Sequence, residues 1–403
     1  MVRTARTHDI VLFGATSFVG QILTKYMVDR HGSHGDVKWA IAGRNANRLA
    51  EVAAINGSEV DRITVDAGDA DGLAEMCAHT NLVISTVGPY SLYGSRLVAA
   101  VVEAGIDYVD LTGEPQWMQR MIDRYQDRAV ETGARLVHAC GFDSVPSDLG
   151  VWFLQQQAIK RFDEPCTSIS MGVKGVKGGA SGGTIASMMN LMDEVASNPS
   201  LTQVLANPYA LAVKGDRDGP DQPNVTLPEY HDGHRSWLAP FMMAATNTRV
   251  VFRTHSLLGH PWGDDFTYGE STLMGGGIGG GTKALAMSGG MSGLMAAANF
   301  GTSRRLLGKV LPKPGEGPSP ASQERGYYDL RFHGVTVGGN EIMVKVTGDR
   351  DPGYGSTAKI LAEAATTLGD SSSKGGFWTP ATVLGDSFIK ALVKHAGLTF
   401  DVI

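Results

Sequence analysis

The order strand, glycine turn, helix start at the beginning of this chain constrains its fold more than any other feature. IVLF at 10–13 reads as a buried parallel strand, GATSFVG at 14–20 as a tight turn, and QILTKYMV as the opening of a helix. Such a helix points its unpaired N–H groups and the positive end of its dipole at the loop, a geometry that binds a pyrophosphate. Gly14 allows the turn, and Gly20 lets helix and strand pack closely. Thr16, Ser17, Phe18 and Val19 lie between them, with Ser17 where a GxxGxxG pattern has its middle glycine. On these residues alone, a glycine turn in another kind of α/β protein stays open.

The next strand narrows the choice. VKWAIAGRNANRL at 37–49 reads as strand two running into a basic turn. In NAD-binding versions of this architecture an acidic residue ends that strand and accepts the ribose hydroxyls. Here the strand ends Ala42-Gly43-Arg44, with Arg48 one helical turn on. No carboxylate repels a ribose 2′-phosphate, and the Arg44 guanidinium fork matches one. The pattern therefore predicts NADP(H) over NAD(H), against the plainer reading of Arg44 as a loop arginine.

A chain of 403 residues suits two domains better than one core. Its net charge of −6 gives no basic footprint, so no nucleic-acid partner is expected. Cys77, Cys140 and Cys166 lack metal-type spacing, so no metal site is expected and a reducing cytoplasm is the default. MVRTARTHD leads into the first strand without an apolar signal core.

From residue 9 to about 147 strand and helix alternate. ITVDAGD (63–69) is a third strand carrying Asp66, a position near the adenine edge in such folds. LVISTVGPY (82–90) is a fourth, broken by Gly88-Pro89. DYVDLTGEP (107–115) is a fifth, and RLVHACGFDSVPSDLG (135–150) is a sixth with its exit turn. Six such units predict a doubly wound parallel Rossmann sheet, with the turns after 14, 42, 86, 113 and 140 around one crevice. Thr86, Val87, Gly88 and Pro89 then join the cofactor-binding set.

The pattern changes after that. CTSISMGVKG, NTRVVFRTHS and DFTYGEST read as antiparallel strands, and YYDLRFHGVTVGGNEIMVKVTGD (327–349) as a hairpin. IASMMNLMDEVA reads as a helix after GASGGT, and STAKILAEAATTL as a helix returning to the first domain. The expected division is 1–147 as the NADP-binding domain, 148–350 as an inserted α+β substrate domain, and 351–403 as a C-terminal helical segment on the first domain. Leu273–Phe300 holds a single charge, Lys283, but glycine, serine and threonine dilute it too much for a membrane span. A buried or flexible glycine-rich segment and an apolar lining for a lipid or membrane surface stay open. The expected location is therefore cytoplasmic, with membrane association left open.

The motifs GATSFVG, IAGR, VGPYSLYG, DLTGEP, CGFDSVPSDLG, SGGT, DPGYGSTAK and GGFWTPATVLGDSF, in this order, resemble the saccharopine dehydrogenase-like oxidoreductases. Within them the chain is most similar to the branch of mycobacterial trans-acting enoyl reductases. The resemblance implies NADPH-dependent reduction of carrier-bound or lipidic enoyl thioesters, with a polyketide synthase as partner, in lipid biosynthesis.

That chemistry asks for a donor near the thioester oxygen and a proton source near the α-carbon. Tyr90, directly after Gly88-Pro89, is the expected hydroxyl donor, with Tyr93 as a further candidate and a tyrosine capping the sheet as the plainer reading. Asp143 is a second catalytic candidate, against a turn role. Glu114 and Ser144 are crevice candidates for substrate. Ser181, Gly182, Gly183 and Thr184 open a helix whose amides suit a carboxylate or a phosphopantetheine phosphate. His138 reads as a core histidine and Cys140 as a packing residue.

Two other functions stay open. An amino-acid reductase like saccharopine reductase needs clustered cations for polycarboxylates, and Arg235, Arg249 and Arg253 show no such grouping. Nine methionines between 188 and 295 suit an apolar, adaptable pocket better. A non-catalytic, cofactor-binding scaffold is the third. Homo-oligomerisation is open as well.

Overall fold

The computed structural model describes residues 6–178, 182–299 and 317–403. Two seven-stranded sheets organise it. The first contains β1 (His8–Phe13), β2 (Trp39–Gly43), β3 (Asp61–Thr64), β4 (Thr80–Ser85), β5 (Asp107–Asp110), β6 (Arg135–Val137) and β13 (Gly376–Trp378), in the order β13-β6-β5-β4-β1-β2-β3. Every pair in it is parallel. The strand order reverses between β1 and β4, which places a ligand crevice at their carboxyl ends.

The intervening helices are α1 (Phe18–His31), α2 (Ala46–Ile55), α3 (Ala70–Ala78), α4 (Tyr90–Ala104) and α5 (Pro115–Thr132). Ser17, Asn45 and Asp69 cap the first three, their side chains accepting from Gly20, Arg48 and Gly72 amides. Each such cap is worth about 1 kcal/mol. α5 buries Trp117, Met118, Met121 and Ile122, a stripe at helical spacing that lies against the sheet.

The second sheet contains β7 (Cys166–Lys177), β8 (Glu229–His231), β9 (Ser236–Pro240), β10 (Thr267–Leu273), β11 (Tyr327–Thr336), β12 (Glu341–Gly348) and β14 (Leu398–Val402), in the order β14-β12-β11-β7-β10-β9-β8. β11 and β12 form the expected hairpin. β10, expected to be antiparallel, runs parallel to β7 and antiparallel only to β9. A crossover through α7 (Gly182–Ser197), α8 (Leu201–Ala206) and α9 (Ala244–Leu257) makes that parallel pairing possible.

α9 corrects the reading of NTRVVFRTHS as a strand. Its Val250, Val251 and Phe252 favour extended structure locally, but the helix is buried on nearly all sides. Surrounding packing overrides a weak local preference. The glycine-rich segment is likewise a helix, α10 (Gly277–Asn299), lying on β9. No helix among the described residues is long and apolar enough to cross a membrane.

α6 (Val145–Phe162) leaves β6 and packs on β7, β11, β12 and β14. The helix Thr357–Asp370 packs on α1, β4 and β5. Its buried Glu363 accepts from Tyr26 Oη at 2.7 Å and Arg30 Nε at 3.0 Å. The C-terminal segment does not stay with the first sheet, however. β13 extends that sheet, whereas β14 pairs with β12 in the second. One hydrophobic cluster runs from Leu12 and Ile84 through Leu149 and Leu361 to Phe332 and Val344, and so joins the two sheets.

Candidate active site

The dinucleotide turn is built by close contacts at the switch point. Gly14 has φ +95°, and a Cβ there would meet Thr86 Oγ1 at 2.6 Å. A Cβ on Gly20 would meet the Gly14 carbonyl oxygen at 2.2 Å. Helix α1 can approach the turn this closely only with glycine at both places. Ser17 Oγ accepts from the Gly20 amide at 2.9 Å and lies 3.0 Å from Thr86 Oγ1. Thr86 Oγ1 in turn donates to the Gly14 carbonyl at 2.9 Å. Ser17 thus replaces a glycine with a helix cap tied to the turn after β4. Among the described residues the Phe18 and Val19 amides have no protein acceptor, so they present free N–H groups of the kind that suit a pyrophosphate. Thr16 and Val19 are half-buried beside them.

The remaining walls of the turn come from far along the chain. The Phe18 ring meets Tyr354 of the DPGYG segment edge-on, with centroids 5.0 Å apart. Asp351 of the same segment accepts from the Tyr354 and Gly355 amides at 3.1 and 2.9 Å. Thr357, two residues further on, accepts from the Phe142 amide at 2.9 Å. These segments show nothing of the site when read singly.

Arg44 stands exposed at the end of β2, and Asp66 stands exposed just past β3, its carboxylate accepting from the Gly68 amide. The donor set therefore fits NADP(H): free helix amides for the pyrophosphate and an unburied guanidinium for the 2′-phosphate.

At the turn after β4, Val87 and Pro89 are half-buried and Gly88 is exposed, and the Gly88–Pro89 bond is cis. Tyr90 does not act as expected. Its side chain is buried, and Oη donates to the Ser85 carbonyl at 2.9 Å and accepts from the Leu111 amide at 3.4 Å. The hydroxyl closes the gap between β4 and β5 and leaves none for a substrate oxygen. Tyr93 is exposed on the first turn of α4, its hydroxyl without a hydrogen bond among the described residues.

Glu114, fully buried, answers the sequence question about the crevice carboxylate. Its Oε1 accepts from the Tyr90 amide at 2.8 Å and Oε2 from the Ser91 amide at 2.9 Å. It therefore neutralises the amino end of α4. Oε1 also accepts from Ser187 of α7 at 3.0 Å. Asn190 Nδ2 donates to Ser91 Oγ at 2.7 Å, and Gln116 Nε2 donates to Glu194 at 3.1 Å. Ser187, Asn190 and Glu194 thus dock α7 on the amino ends of α4 and α5, beside the turn after β4. Their spacing, i, i+3, i+7 on one face of the helix, is a signal that the sequence reading missed. Ser181 lies outside the described residues, and Gly182, Gly183 and Thr184 open α7.

Beyond β6, Ser144 is buried and donates to Asn247 Oδ1 of α9 at 3.2 Å, a role in holding the turn rather than the substrate. Asp143, beside it, is half-buried and has no hydrogen-bond partner among the described residues. It faces the Gly113 turn, where a side-chain carbon would lie 3.9 Å from Oδ2. Burial pushes its carboxyl up to about 6. His138 is a core residue, with Nδ1 2.7 Å from Asp110 Oδ2 and its ring packed on Trp117. Cys140 is buried, and burial raises its thiol well above the usual range. No group of three or more metal-ligating side chains capable of holding an ion is found among the described residues.

Comparison with known proteins places this geometry in a family. Residues 10–137 match the saccharopine dehydrogenase NADP binding domain. A Mycobacterium tuberculosis protein named as a candidate trans-acting enoyl reductase is 38% identical over 97% of each chain. A Mycobacterium ulcerans protein named trans-acting enoyl reductase is 33% identical, again over 97% of each. The structure resembles the saccharopine dehydrogenase of Saccharomyces cerevisiae, with a TM-score of 0.56 at 12% identity, covering 98% of this chain and all of that one. The chain belongs to the saccharopine dehydrogenase-like oxidoreductases, in the branch of the trans-acting enoyl reductases, and is an NADP-dependent enzyme.

Proposed function

We propose that this enzyme reduces the carbon–carbon double bond of a lipidic enoyl thioester, presented in trans by a separate carrier such as that of a polyketide synthase, in lipid biosynthesis. The observation that carries the reading is the roof of the crevice. α7 carries Met188, Met189 and Met192, all half-buried and outside both hydrophobic cores, on the helix that Ser187 and Asn190 fix to Glu114 and Ser91. Flexible thioether side chains suit an acyl chain better than a polycarboxylate.

Bound NADPH supplies the hydride, which goes to the β-carbon. Electron density moves to the thioester oxygen, and a proton must then reach the α-carbon. We assign that delivery to Asp143, which is half-buried, without a hydrogen-bond partner among the described residues, and raised by burial to about 6. The deprotonated carboxylate regains a proton from solvent. Arg44 holds the 2′-phosphate, and the amides of Phe18 and Val19 hold the pyrophosphate. The exposed apolar residues of α10, Ile278 and Leu285, are compatible with peripheral contact with a lipid surface.

Saccharopine-type chemistry has less support here. Arg249 and Arg253 are both buried, with guanidinium groups on the carbonyls of Ala245, Leu205, Leu211 and Phe377. They are not free to meet substrate carboxylates. The test is NADPH oxidation with a long-chain enoyl thioester, followed by mass identification of the saturated product. Absence of that product with carrier-bound and free thioesters alike overturns the reading.

A further inference from the structure

α9 reaches the crevice with two adjacent side chains, and each holds a different turn. Thr246 Oγ1 donates to the Gly113 carbonyl at 3.2 Å, in the turn after β5. Asn247 Oδ1 accepts from Ser144 Oγ at 3.2 Å, in the turn after β6. Asp143 lies between these two attachments. Asn247 is itself locked from the second sheet, because its Nδ2 donates to Glu270 Oε2 at 2.9 Å. Glu270 is oriented in turn by Tyr268 Oη, which donates to Oε1 at 2.7 Å. Ser144, Asn247 and Glu270 are all buried.

We infer that Asn247 is the positioning residue of the reaction, fixing the Asp143 turn against the Gly113 turn and making that geometry depend on the second sheet. The inference rests on Asp143 being the proton donor. The chemistry selects asparagine. One side-chain oxygen must accept from Ser144 while the amide nitrogen donates to Glu270. An aspartate would set a second carboxylate against Glu270, and an alanine would leave buried partners on both sides unpaired. Asp148, one turn along α6, is held separately by Thr254 and by the Ala381 amide at 2.8 Å, so it does not substitute for Asn247.

The test compares Ser144→Ala, Asn247→Ala and Asn247→Asp with the unchanged enzyme and with Asp143→Asn. The chain of hydrogen bonds predicts a kcat lowered about tenfold to a hundredfold, since small misplacements of a reacting group have effects of that size. KM and NADPH affinity stay within about twofold, because no variant touches the cofactor loop. A substrate-free readout accompanies it: the titration midpoint of the Asp143 carboxyl, followed by carbon NMR, moves in Ser144→Ala and returns in Ser144→Thr. Ser144→Ala deletes one oxygen only, so it serves even where the Asn247 variants fail to fold. An unmoved Asp143 midpoint with unchanged kcat in Ser144→Ala overturns the inference. Full turnover in Asp143→Asn instead overturns the proton-donor reading on which the inference stands.

Discussion

Ser187 of α7 donates to Glu114 Oε1 at 3.0 Å, and that same oxygen accepts from the Tyr90 amide that starts α4. A single buried carboxylate therefore joins the roof of the crevice to its floor. Removing Ser187 Oγ in Ser187→Ala should cost about 0.5–1.5 kcal/mol, the net value of one such bond. Glu114→Ala should cost more, since the Tyr90 and Ser91 amides lose their acceptor, at about 1–3 kcal/mol for each unsatisfied group. Limited proteolysis checks both, with cleavage in α7 expected to rise from the serine variant to the glutamate variant.

We assign the cofactor preference to Arg44. Arg44→Asp should weaken NADPH binding by about tenfold to a hundredfold, the range for hydrogen bonds to charged groups of about 1.5–3 kcal/mol. NADH affinity should hold or improve, because a carboxylate there accepts the ribose hydroxyls. Fluorescence titration with both cofactors measures the ratio, and an unchanged ratio contradicts the assignment.

Tyr90→Phe should act on stability rather than on rate. The lost hydroxyl leaves the Ser85 carbonyl unpaired inside the protein, at about 1–3 kcal/mol. Turnover should stay within about tenfold, whereas loss of a transition-state donor typically costs about 2.7–4 kcal/mol of barrier. Thermal melts and steady-state rates on one preparation separate the two.

Much of this site was legible in the sequence, and the parts that were not share a physical reason. The glycine turn, Arg44 and the crevice turns are local signals, because each depends on neighbours a few residues away. Tyr90 sits where the sequence puts it, but its hydroxyl direction is set by Leu111, across the sheet. Phe18 needs Tyr354, and Ser144 needs Asn247, at separations no local pattern carries. α9 follows the same rule: its valines favour a strand locally, and burial of both flanks makes the segment a helix.

The pH dependence follows from Asp143. A general acid works in its protonated form, and burial raises this carboxyl to about 6. kcat should therefore be level below about pH 6 and fall about tenfold per unit above it. Asp143→Asn should remove that limb along with most of the rate. A rate that rises through the same range instead would make Asp143 a base and reverse its role.

The most direct test of the account is the product formed from an enoyl thioester and NADPH, set beside glutamate with an aldehyde under the same conditions. The account predicts the saturated thioester, formed in step with NADPH oxidation, and little or no secondary amine. Secondary amine formed from glutamate, with the thioester returned unreduced, would contradict it.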